Sequence, residues 1–161
     1  MTTKFTHIED DRAVMVDISH KDTVARKAIA SGEIILGRST IESIRNGTVE
    51  KGNVLSTARI AAILAVKRTP ELIPMCHQIP ITSVDVDFSI GEDQISAVVE
   101  VGSVGRTGVE MEALTGVSTA LLTIWDMVKS AEKDDTGNYP LTCIRNIRVL
   151  SKVKGTKTNV L

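Results

Sequence analysis

Asp126 and Lys129 stand three residues apart in the string WDMVK, and Glu112 lies upstream in GVEMEALT. A carboxylate and an ammonium at that spacing share one face of a helix. They form an acid–base pair if a substrate reaches them, and an ordinary ion pair worth about 0.2–0.5 kcal/mol if none does. At 1.5 Å of rise per residue, Glu112 and Asp126 would be about 21 Å apart, so one compact ligand cannot touch both from a single copy. Two functional ends on that helix imply a long ligand or a site shared between chains. Lys51, in KGNV, precedes a helix start, where unsatisfied backbone N–H groups and the helix dipole favour an anion. The G-x-x-x-x-G-K-[ST] pattern of a phosphate-binding P-loop is missing around it, and a solvated loop lysine reads the same way. Cys76 and His77 sit in LIPMCHQIP between Pro74 and Pro80. Adjacent side chains diverge, which argues against a Cys–His nucleophile and base. A lone His there is a candidate acid, base or donor near neutral pH, or a structural residue.

These residues need elements to hold them. From Gly105 to Lys129 the apolar residues Leu114, Val117, Leu121, Ile124 and Val128 recur at steps of three and four, which stacks them along one helical face. Glu112, Thr115, Thr119, Thr123 and Asp126 fall roughly opposite. Threonine is a mediocre choice for a solvated helix, so a covered second face is expected. Residues 27–36 read as a strand with a Ser-Gly bulge, and Ser39 as the N-cap of a short helix reaching Ile44 and stopped by Asn46-Gly47. Asn53 caps an alanine-rich helix through Lys67, halted by Pro70. Strict alternation at 81–90 and 94–104, with a Gly91-Glu92-Asp93 turn, gives an antiparallel hairpin. A helix at 108–131 and a strand at 143–153 follow. The resulting β-α-β-β-α-β order is that of a ferredoxin-like α+β sandwich, an antiparallel sheet with helices on one face. Residues 1–26 read as an N-terminal arm or loop.

Length and composition narrow the function. The 161 residues suit a single domain spanning 1–161, and the net charge of −1 lacks the basic excess that nucleic-acid binding needs. Phe5, Phe88, Trp125 and Tyr139 are the whole aromatic complement, too few for base stacking. No apolar run is long enough for a signal peptide or membrane span, so a cytoplasmic protein without a membrane partner is expected. Cys76 and Cys143 have no metal or disulfide spacing, and no metal is expected.

Three strings carry a resemblance. MVDIS-x-K-x-T-x-x-R near the start, KGNVLSTARIAAILAVKRTPELIPMCH in the middle and RTGVEMEALTGVSTALLTIWDMVK in the central helix are similar to the cyclic pyranopterin monophosphate synthase family of molybdenum cofactor biosynthesis, over roughly residues 14–152. The resemblance implies a lyase that converts 3′,8-cyclo-7,8-dihydroguanosine 5′-triphosphate to a tricyclic pyranopterin with a cyclic phosphate, releasing pyrophosphate, with no cofactor. It implies catalytic roles for Lys51, Asp126 and Lys129, and substrate binding by Met75, Cys76, His77, Met111 and Glu112. Arg26, Lys67 and Lys152 are weaker candidates for holding pyrophosphate, whose departure needs cationic partners. Lysines of depressed pKa would supply the proton transfers. The family implies a homohexamer, a trimer of dimers with active sites between subunits. Arg106, where lysine is usual, replaces a titratable ammonium with a permanent charge and receives no catalytic role. The ending KGTKTNVL also departs from the family pattern. A non-catalytic ferredoxin-like module binding a small ligand is the alternative, and it differs in predicting binding without turnover.

Overall fold

The computed structural model describes residues 8–9 and 12–156, with side chains from residue 13 onward. β1 (Ile8–Glu9) and β2 (Arg12–Ala13) form a short antiparallel ribbon inside the segment read as an arm. The main body follows as β3 (Val24–Ile35), α1 (Arg38–Asn46), α2 (Val54–Lys67), α3 (Thr69–Leu72), β4 (Ile81–Ile90), β5 (Gln94–Gly105), α4 (Glu110–Glu132) and β6 (Cys143–Lys154). The sheet runs β4-β5-β3-β6 with every pair antiparallel. The expected β-α-β-β-α-β order therefore holds, with β3 and β5 central and β4 and β6 at the edges.

The helices begin and end where local chemistry allows. Asn53 accepts a hydrogen bond from Ser56 N at 2.9 Å and caps α2. Gly47, at φ 68°, closes α1 in the left-handed region that glycine enters at little cost. Ser39 does not cap α1. Gly37 holds that position without a side-chain bond, and the carboxylate of Glu132, at the end of α4, accepts from Gly37 N at 3.1 Å instead. A distant residue has taken the capping task. Pro70 does not simply end α2: it sits in the first turn of α3, where its missing N–H is harmless.

The core is aliphatic. Ala28, Ala30 and Ile34 of β3, Ile95, Ala97, Val99 and Val101 of β5, and Val117, Leu121 and Ile124 of α4 are all fully buried beneath α2 and α4. Two glycines set how closely the layers approach. A Cβ on Gly116 would lie 2.8 Å from Val66 Cγ2, and one on Gly32 would lie 2.8 Å from both Leu121 Cδ1 and Val117 Cγ1.

Two expectations change. β3 starts at Val24 rather than residue 27, because Val24 pairs with Gly105 and its side chain is buried. The bulge expected at Ser31-Gly32 is carried by the opposite strand: β3 stays in continuous register with β5, while pairing with β6 steps from Ser31↔Arg148 to Glu33↔Arg145. The extra β6 residue falls beside Asn146, whose φ of 56° marks the irregularity. Glu112, by contrast, bears out the covered second face expected of α4. It is 2% exposed, because α4 is covered by the sheet beneath and by α2 and α3 alongside, a wider arc than one apolar stripe. The tail residues 157–161 lie outside the described residues.

Candidate active site

The candidate residues gather at the two ends of α4. Toward its C-terminal half, Lys51 arrives on the loop between α1 and α2. Its Nζ donates to the Asp126 main-chain carbonyl at 2.7 Å and to Asp126 Oδ2 at 3.2 Å. Lys129 Nζ donates to Asp126 Oδ1 at 2.7 Å. One carboxylate is thus shared by two ammonium groups, all three side chains about half exposed. Asp126 is held below the usual carboxylate range first by the Lys129 hydrogen bond and then by Lys51. The same bond raises Lys129. The expectation of a depressed lysine is therefore corrected for Lys129. In this exposed cluster desolvation is weak, and the carboxylate stabilises the charged form.

At the other end of α4 lies a hollow of about 360 Å³ lined by Met75, Cys76 and His77 from the proline-bracketed loop and by Met111 and Glu112 from the first turn of the helix. All five substrate-binding candidates named from the resemblance meet there. His77 Nε2 lies 2.8 Å from the Val16 carbonyl oxygen. Since a carbonyl only accepts, that nitrogen carries the hydrogen and Nδ1 is left for a further partner. Burial pushes Glu112 up from the ordinary carboxyl range, with a smaller contribution from the charge of Glu110. Burial, assisted by Glu112, also raises the Cys76 thiol. A raised thiol is a poorer nucleophile at neutral pH, and Cys76 stands in the pocket lining.

A second, basic hollow of about 420 Å³ adjoins the first and contains Arg26 and Lys152. Arg26 also donates to the Gly105 and Arg106 carbonyls at 3.3 and 3.1 Å, which ties β3 to the turn that launches α4. Lys67 stands apart from those two cations and borders a third hollow beside Glu112. Sequence reasoning passed over Lys21, which lines both the first and the basic hollow, and Glu110, which does the same. Lys21 lies in the MVDIS-x-K string, so the signal was present. Arg106 and Lys154 line the basic hollow too, which gives Arg106 a place as fixed charge. Among the described residues, no group of three or more His, Cys, Asp or Glu side chains could hold a metal ion, and no helix is long and apolar enough to cross a membrane.

Fold and site define a ferredoxin-like α+β domain, with a carboxylate shared by two lysines toward one end of its long helix and a pocket beside fixed positive charge at the other. The chain belongs to the MoaC family, whose model matches residues 15–155. That span includes every candidate site residue. A probable cyclic pyranopterin monophosphate synthase of Methanococcoides burtonii is 75% identical over 97% of this chain and 98% of its own length. The probable synthases of Methanosarcina acetivorans and Methanosarcina mazei are 74% identical over 94% of this chain and 96% of theirs, and 72% identical over 96% and 99%.

Proposed function

We propose that this chain is a lyase that converts 3′,8-cyclo-7,8-dihydroguanosine 5′-triphosphate to cyclic pyranopterin monophosphate and pyrophosphate, an early step of molybdenum cofactor biosynthesis. The observation that carries the reading is membership of the MoaC family together with relatives 72–75% identical that are named for this activity. The chemistry of the side chains supports it. Lys129, kept protonated by Asp126, supplies a proton to the rearranging ring system, and Lys51 works on the same carboxylate from the other side. Met75 and Met111 offer polarizable apolar contact to a heterocycle, with His77 and Glu112 as polar partners. Arg26 and Lys152 hold the phosphates and stabilise the charge on departing pyrophosphate, with Lys21, Arg106 and Lys154 beside them. Lys67 approaches from the Glu112 side.

The two ends of α4 cannot serve one compact substrate from one copy, being about 21 Å apart at 1.5 Å per residue. The protein works as a homo-oligomer, a hexamer built as a trimer of dimers, with each active site assembled from two chains. It acts in the cytoplasm on a small nucleotide-derived substrate, without a cofactor. Incubating pure protein with the cyclised GTP intermediate and measuring pyrophosphate together with the pterin product tests the assignment. Equal yields of the two support it. Tight binding without either product would favour a non-catalytic ligand module instead.

A further inference from the structure

Glu110 stands in the wall between the ring-side hollow and the basic hollow, since both are lined by Lys21, Thr107, Gly108 and Glu110. Its Oε1 accepts from Lys152 Nζ at 2.8 Å. The carboxylate folds back over Gly108 so closely that a Cβ at that position would overlap it. Glu110 is also the first residue of α4, where the helix dipole and free N–H groups stabilise negative charge. Burial raises its carboxyl, but the Lys152 hydrogen bond, its own backbone N–H and the nearby Arg26 outweigh that and hold it low. Glu110 is therefore an anion at neutral pH, and it sits among the cations that a phosphate chain would need.

We propose that Glu110 is the resident anion of this site, displaced from Lys152 when the phosphate chain of the ligand enters and returned to Lys152 when pyrophosphate leaves. The inference rests on the anion-holding role given above to the basic hollow. The exchange is favourable because a polyphosphate brings more charge and more acceptor oxygens than one carboxylate, and it reaches Arg26 and Arg106 as well as Lys152. Its consequence is selectivity. An incoming anion must exceed what Glu110 already provides, and the returning carboxylate competes with product for Lys152. Glycine at 108 leaves room for the carboxylate in its resident position.

Titration calorimetry with inorganic pyrophosphate, on unmodified protein, Glu110→Gln, Lys152→Ala and the double variant, tests the exchange. Glu110→Gln should bind pyrophosphate about two- to fivefold more tightly, the scale of a partly exposed ion pair. Lys152→Ala should bind it more weakly, and the gain from Gln should shrink in the double variant, because the two residues act on each other. If Lys152→Ala weakens binding while Glu110→Gln leaves it unchanged or weaker, the exchange is wrong and the anion hollow stands. If pyrophosphate binds none of the four proteins, the anion hollow falls and the exchange with it.

Discussion

Lys51 and Asp126 are 75 positions apart in sequence, yet Lys51 Nζ donates both to the main-chain carbonyl and to the carboxylate of Asp126, at 2.7 and 3.2 Å. The double contact joins the α1–α2 loop to the last turns of α4. It also turns an i,i+3 pair on one helix into a three-residue group.

Loss of any member should be felt in turnover before it is felt in stability, because all three side chains are about half exposed. Lys51→Ala, Asp126→Ala and Lys129→Ala should each remain folded and lose about 10²- to 10⁴-fold in kcat, the range for removing a general acid or base. Circular dichroism and product formation measured together check this. Rates near those of the unmodified protein in all three would remove the catalytic assignment.

Shared sites can be tested by mixing damaged chains. Lys51 and Lys129 meet one carboxylate in one chain, so a mixture of Lys51→Ala and Lys129→Ala proteins should stay inactive after subunit exchange. A mixture of His77→Ala and Lys129→Ala should regain activity, because some interfaces combine an intact pocket from one chain with an intact lysine group from the other. A fully active monomer in sedimentation would contradict the arrangement.

Glu112 predicts a pH effect of definite sign. Its carboxyl is raised in the folded protein chiefly by burial, so its contribution to stability is fully present below the unfolded carboxyl pKa and is lost as pH rises through the raised folded value. Glu112→Gln escapes that loss. The variant should melt higher than the unmodified protein at pH 7–8, and the gap should narrow as pH falls toward about 4, near the unfolded carboxyl pKa. Thermal melts across that range check it, and a gap that widens on acidification would contradict burial as the cause.

Gly32 tests the packing of α4 on the sheet. A methyl there would meet Leu121 and Val117 at 2.8 Å and Ile147 Cγ1 at 2.9 Å. Two of those neighbours are fully buried and cannot swing aside. Gly32→Ala should cost about 1–3 kcal/mol, the usual penalty of overpacking. Urea unfolding measures it, and an unchanged midpoint would mean that the layers move apart freely.

Periodicity determined most of the architecture without help. The alternation of Val84, Val86 and Phe88 and of Ile95, Ala97 and Val99, with the three-and-four spacing of Val117, Leu121 and Ile124, placed the hairpin and the central helix, because burial on one face leaves its period in the sequence. Asn53 and Gly47 were legible for the same local reason, since a cap depends only on nearby backbone. What the sequence could not determine were relations between residues far apart along the chain. Glu132 replaced Ser39 at the start of α1, the irregularity opposite Gly32 fell on β6, and the elements that cover the Glu112 face of α4 proved to be α2 and α3. Glu110 came to lie beside Lys152 in the same way. Those contacts depend on how whole layers are stacked, and that is set by packing summed over the core rather than by any short stretch of residues.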